Sequence, residues 1–163
     1  MMSIAPIAQG LILVFVANGA PILARWAFGL WGNAPLDFHA RFADGARLLG
    51  SSKTFRGVIA SLIATTLVAP LIGVDWRVGA LAAAAAMAGD ILSSFIKRRL
   101  QLPAQGMAPG IDQAPESLLP LIVCKSALGL SLTDVLIATL IFWIGGLLLS
   151  RALFTLKIRE RPY

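Results

Sequence analysis

Three short stretches of this chain gather residues that bind phosphate or a divalent cation. The first is Ser51-Ser52-Lys53-Thr54-Phe55-Arg56-Gly57. Hydroxyls and cations at a helix start can hold phosphate oxygens, because the first turn offers unpaired N–H groups and a partial positive charge. Arginine grips phosphate through two bonds, while lysine acts as a point charge. The same residues also suit a plain basic helix end at a membrane surface. The second stretch is Gly89-Asp90-Ile91-Leu92-Ser93-Ser94-Phe95-Ile96-Lys97-Arg98-Arg99. Asp90, Ser94 and Lys97 fall at i, i+4 and i+7, so they share one helical face. Asp90 lies about 10 Å deeper than Lys97 at 1.5 Å per residue. An ionisable group at that depth is expensive and marks a functional site by default. The structural alternative pairs Asp90 with Lys97 or another buried cation. The third stretch is Ala108-Pro109-Gly110-Ile111-Asp112-Gln113-Ala114-Pro115-Glu116. Asp112 and Asp90 could together hold Mg²⁺, a hard ion that uses one or two carboxylates plus substrate phosphates. Asp112 could equally cap the helix that follows, and a cap is the reading for Glu116, since acids favour helix starts.

The elements that must position these residues are membrane helices. The chain has 163 residues, 58% hydrophobic and 13% charged, with a mean hydropathy of +0.81. Soluble domains are about 45–50% apolar and about 25% charged. That excludes a soluble globular domain, a disordered chain and a disulfide scaffold. The lone Cys124 excludes an internal disulfide and a cysteine metal cluster. Five apolar stretches stand out, at about 4–26, 55–74, 78–96, 117–130 and 135–154. The first is too long for the core of a signal peptide and lacks its basic start and small-residue cleavage site, so it reads as a retained helix. The third opens on an alanine-rich tract, 79–88, whose small residues can pack closely within the chain or form a homodimer. The fourth is short and interrupted by Pro120 and Lys125. The expected architecture is an all-α integral membrane protein, a single polytopic domain over 1–163 with about five transmembrane helices.

The charges give the orientation. With five spans, Arg25, Arg41, Arg47, Lys53, Arg56, Lys97, Arg98, Arg99, Arg151, Lys157, Arg159 and Arg161 share one side, and only Arg77 and Lys125 take the other. Positive residues collect on the cytoplasmic side. The amino terminus is then outside, in the cell membrane, and both polar segments, 29–52 and 97–116, meet at a cytoplasm-facing polar site. Topology thus explains the net charge of +6 without nucleic acid. Asn18 reads as a hydrogen bond between helices, and Asp37 after Pro35 as the start of a turn or helix. His39 lacks partners for zinc. Trp26, Trp31, Trp76 and Trp143 sit mostly near span ends, as interfacial anchors do. Carboxylates with surrounding cations at a membrane surface suit phosphoryl or nucleotidyl transfer.

The order Asn18-x-x-Pro21, Pro35-Leu36-Asp37-Phe38, Gly50-Ser-Ser-Lys53-Thr54-Phe55-Arg56-Gly57, Gly89-Asp90-x-x-x-Ser94-Phe95-Ile96-Lys97-Arg98-Arg99 and Pro109-x-x-Asp112-Gln113 resembles the CDP-archaeol synthase family. That family is similar to the phosphatidate cytidylyltransferases. The resemblance spans roughly residues 15–120, and the Gly-Asp with Ser-Phe-Ile-Lys-Arg-Arg is its specific part. It implies a CTP-dependent lipid-phosphate cytidylyltransferase in which the lipid phosphate attacks the α-phosphate of CTP, giving a CDP-lipid and pyrophosphate. It further implies Mg²⁺ on Asp90 and Asp112, with Lys97 beside them as a catalytic residue. Lys53, Arg56, Lys97 and Arg98 would hold the phosphates of CTP and lipid, and Thr54 and Ser94 would add hydrogen bonds. Two departures accompany it. Pro115 stands where a second Asp is expected, one residue before Glu116, and Ser51-Ser52 replaces a Gly-Lys. A small transporter or assembly subunit, and a CTP-dependent lipid kinase, are the competing classes.

Overall fold

Helices follow the apolar stretches. The computed structural model describes residues 4–102, 108 and 110–157. Pro109, Arg159 and Arg161 lie outside the described residues. Among the described residues six helices run in the order α1 (Ile4–Phe28), α2 (Phe55–Leu71), α3 (Trp76–Arg99), α4 (Gln113–Val123), α5 (Lys125–Leu128) and α6 (Leu132–Thr155). Among the described residues only two isolated bridges, Pro35–Thr54 and Arg41–Arg47, pair extended backbone. Among the described residues three helices are long and apolar enough to cross a membrane, α1, α3 and the 132–152 part of α6, and α2 is a shorter apolar helix. The fourth expected span is broken. α4 ends at Val123, Cys124 takes φ −89° and ψ 2°, and a single turn follows to the left-handed Gly129.

Caps set the remaining boundaries. Thr54 accepts the Gly57 N–H at 3.2 Å at the start of α2. Asp75 accepts the Arg77 N–H at 2.7 Å at the start of α3. Ser131 and Asp134 form a reciprocal capping box on α6. Each satisfies donors that a helix start leaves unpaired.

Helix α2 buries small residues and turns large ones outward. On α2, Gly57, Ser61, Thr65 and Ala69 face inward, while Phe55, Ile59, Ile63, Leu67 and Leu71 are exposed, each set spaced by four. In lipid there is no hydrophobic drive between helices, so close backbone approach does the packing. The inward face of α3, Gly79, Ala82, Ala83 and Ala86, is buried within this one chain. That face of the tract packs within the chain, while Leu81, Ala84 and Ala88 turn outward. The larger core joins Leu13 and Val14 of α1, Leu121 of α4, and Val135, Ala138 and Phe142 of α6. Asn18 bonds the Val14 carbonyl of its own helix at 2.9 Å rather than bridging to a neighbour.

Candidate active site

The α1–α2 loop folds around one carboxylate. Asp37 has no exposed side-chain surface. It accepts Arg47 Nη2 at 2.5 Å and the backbone N–H groups of His39 at 3.1 Å, Leu49 at 3.2 Å and Gly50 at 3.0 Å. Burial opposes its charge, but the bonds from Arg47, Gly50, Leu49 and His39 outweigh it and hold the carboxyl well below the usual carboxylate range. In sequence Asp37 reads only as the start of a turn or helix, because its donors lie up to thirteen residues away. The loop is then stitched to the start of α2. Leu36 N–H donates to the Lys53 carbonyl at 2.8 Å, and Phe55 N–H to the Ala34 carbonyl at 3.1 Å. Arg99 of α3 ties it down from the other side. Its guanidinium stacks on Phe42 and Phe95, 4.7 and 5.0 Å from their centroids, and bonds Asp44 at 3.0 Å and the Arg47 carbonyl at 2.7 Å.

This bracing brings Lys53 onto α3, where its ammonium pairs with Asp90. Asp90 therefore takes its cation from thirty-seven residues away, not from Lys97 on its own face. Lys97 instead pairs with Asp112, at 2.9 and 3.1 Å to the two carboxylate oxygens. Asp112 occupies the N-cap position of α4 but makes no side-chain cap; it accepts the Ala108 N–H at 3.0 Å. Glu116 differs from its expected capping role as well. Its carboxyl lies within hydrogen-bond reach of Asp90 and within electrostatic reach of Lys53 and Asp112. Glycine makes this possible: a Cβ at Gly89 would overlap the Pro115 carbonyl, so α4 approaches α3 there only because position 89 has none.

Other sequence-predicted residues divide. Ser94 is buried on the Asp90–Lys97 face. Arg98 lines a cavity of about 390 Å³ with Arg47, Gly50, Ser51 and Gln101, and its buried Nε has no partner. Thr54 is occupied as the α2 cap, and Arg56 reaches the Gly29 and Trp31 carbonyls at 3.0 and 2.5 Å, so the structure uses both to close the loop. The signal that could have found Glu116 was its place one turn after Asp112 on a helix start.

Three carboxyl groups thus face two lysines. One negative charge remains if all ionise, and Glu116 lies within hydrogen-bond reach of Asp90. Carboxyls in contact must share a proton or a cation between them. Among the described residues no group of three His, Cys, Asp or Glu side chains has metal-binding spacing. The donor set fits a hard divalent ion that takes one or two carboxylates and completes its shell with phosphate.

Fold and site define a polytopic helical membrane enzyme with an acidic and basic centre at one end of its bundle. A family model described as CarS-like, CDP-archaeol synthase, matches residues 11–163. The chain is 33% identical over 156 residues to the CDP-archaeol synthase of Sulfurisphaera tokodaii, covering 91% of this chain and 89% of that one. It is 37% identical over 109 residues to the CDP-archaeol synthase of Pyrococcus furiosus, a match that covers 61% of this chain and 62% of its relative, just under two thirds. A solved structure described as an intramembrane enzyme for archaeal membrane lipids biosynthesis aligns with a TM-score of 0.74 and 28% identity, over 85% of this chain and 89% of that one. The chain belongs to the CDP-archaeol synthase family.

Proposed function

We propose that this chain transfers a cytidylyl group from CTP to an archaeal-type ether-lipid phosphate, making a CDP-archaeol-like lipid. The observation that carries the reading is the convergence of Lys53, Asp90, Lys97, Asp112 and Glu116 at one end of a membrane bundle, together with family membership. The lipid phosphate oxygen attacks the α-phosphorus of CTP. The bond from that phosphorus to the bridging oxygen breaks, and pyrophosphate leaves with the electron pair. The attacking phosphate is already an anion, so no protein nucleophile is required.

Mg²⁺ is the proposed ion: Asp90 and Asp112 would hold it, with Glu116 beside Asp90 as support, and it would neutralise charge on the nucleotide phosphates. Lys53 and Lys97 then exchange carboxylate for phosphate, and each remains a point charge beside the reacting groups. Arg98 faces the neighbouring cavity with a donor to spare. Ser94 lies between Asp90 and Lys97 and adds a hydroxyl. The basic end faces the cytoplasm, where CTP is available, and the amino terminus lies outside the cell membrane.

The test uses purified chain in vesicles with Mg²⁺, a panel of ether and diacyl lipid phosphates, and CTP labelled in turn at the α- or γ-phosphate. Cytidylyl transfer puts the α-label into lipid and releases pyrophosphate. Label from the γ-position in lipid, with CDP as co-product, would replace this reading by a lipid kinase. No label from either position, with folded protein, would favour a transporter or assembly subunit.

A further inference from the structure

We infer that the α1–α2 loop bears an aromatic ledge, Phe38 on Phe55 together with Trp31 held by Arg56, that beds in the headgroup–acyl boundary of the bilayer and fixes the depth of Lys53. The argument begins with length. α2 has 17 residues, about 26 Å at 1.5 Å per residue, against a hydrocarbon core of about 30 Å. α1 and α3, with 25 and 24 residues, have no such shortfall. The lipid-facing row of α2, Phe55, Ile59, Ile63, Leu67 and Leu71, stops at the first turn. There the loop continues it. The Phe38 ring stacks on Phe55 with centroids 5.3 Å apart and stays 72% exposed.

The backbone is bent to put that ring there. Phe38 has φ 43° and His39 φ 67°, a region bulky residues rarely adopt. The turn is fixed by Asp37, whose carboxylate accepts the His39 N–H and whose carbonyl accepts the Ala40 N–H at 2.6 Å. Trp31, whose ring lies 6.1 Å from that of Phe28, is 77% exposed, while Arg56 of the first turn of α2 grips its carbonyl. Tryptophan with nearby arginine is the composition of a membrane interface. Exposed aromatic rings grouped beside the apolar row of α2 would, in water, be a liability to association. The partner is therefore lipid at the level where helix and headgroup meet. Resting on the transfer reading, the consequence is that the lipid phosphate arrives at the height of Lys53, whose carbonyl is bonded to Leu36 behind the ledge.

The test places a single tryptophan in the full chain, either at 31 after Trp26, Trp76 and Trp143 are changed to Phe, or at 38 as Phe38→Trp with Trp31→Phe added. Each protein is reconstituted in phosphatidylcholine vesicles brominated near the headgroup or near the chain end. Quenching by the headgroup-proximal bromine, several-fold above that by aqueous iodide or the chain-end bromine, is expected at both positions. Dominant quenching by iodide overturns the proposal whatever the activity. A second readout is kinetic. Phe38→Ser should raise KM for lipid phosphate about tenfold with KM for CTP unchanged, and Phe38→Leu, still apolar, should restore it. Equal changes in both KM values would mark a general loop defect and overturn the ledge. Bedded tryptophans in a wild-type chain that never uses CTP would sink the transfer reading and leave the ledge standing.

Discussion

The two ends of the bundle use their acidic residues in opposite ways. At one end, Asp75 and Asp134 satisfy N–H groups two or three residues away and cap α3 and α6. At the other, Asp90 finds its lysine thirty-seven residues away, Asp112 finds Lys97 fifteen away, and Glu116 lies against Asp90 from another helix. A cap strengthens one helix and is complete within it. A carboxylate whose partner comes from a distant element needs the whole fold, and its charge remains available for exchange with a ligand. Among these five acids, partner distance along the chain separates the helix-building ones from those placed for chemistry.

The contrast is broken most directly at Asp90. Asp90→Asn should lower turnover on the order of a thousandfold while the protein still inserts and folds, since charge at such a centre has that scale of effect. An active Asp90→Asn protein, measured by pyrophosphate release, would remove the distinction between the two ends. Glu116→Gln should cost about 10–100-fold, as groups that support a metal ligand do, and should raise the Mg²⁺ concentration needed for half-maximal rate. A rate loss with unchanged Mg²⁺ demand would return Glu116 to a structural role.

Asp37 sharpens the comparison, because it is long-range in its bonding but sits outside the carboxylate cluster. Asp37→Asn should destabilise the protein by about 2–3 kcal/mol in thermal melts, below the figure for a fully buried pair because Arg47 is partly exposed. Its pKa is depressed in the fold. The gap between wild type and variant should therefore be full above the ordinary carboxylate range near about pH 4 and shrink only in stronger acid. A gap that vanishes at about pH 6 would contradict this sign. The smallest effect is expected at the far end. Asp75→Ala should cost about 1 kcal/mol for a lost cap and leave turnover unchanged; a rate loss would show that this end also serves the reaction.

Much of the helical layout was legible because lipid imposes a simple rule: about twenty apolar residues per span. The alanine tract and the outward row of α2 follow from that solvent. The break at Cys124 was not legible, since Pro120 and Lys125 interrupt an apolar stretch without saying where it bends. Lys53, Asp90, Lys97 and Asp112 stood out by residue type and depth. Their pairing did not. Helical periodicity brings Lys97 toward Asp90, but the α1–α2 loop delivers Lys53 instead, and that loop is shaped by contacts centred on Asp37 that leave no periodic trace. Glu116 was hidden by its position, because an acid in the first turn of a helix has a local explanation ready. Thr54 and Arg56 carry the reverse lesson: phosphate-binding types, already engaged in closing a helix start.

The most direct measurement is Mg²⁺-dependent pyrophosphate release from CTP and ether-lipid phosphate, with wild type, Asp90→Asn and Asp75→Ala run side by side in the same vesicles. The account predicts release that requires both substrates and Mg²⁺, is kept by Asp75→Ala and is lost in Asp90→Asn. Release that survives Asp90→Asn, or falls equally in both variants, would contradict it.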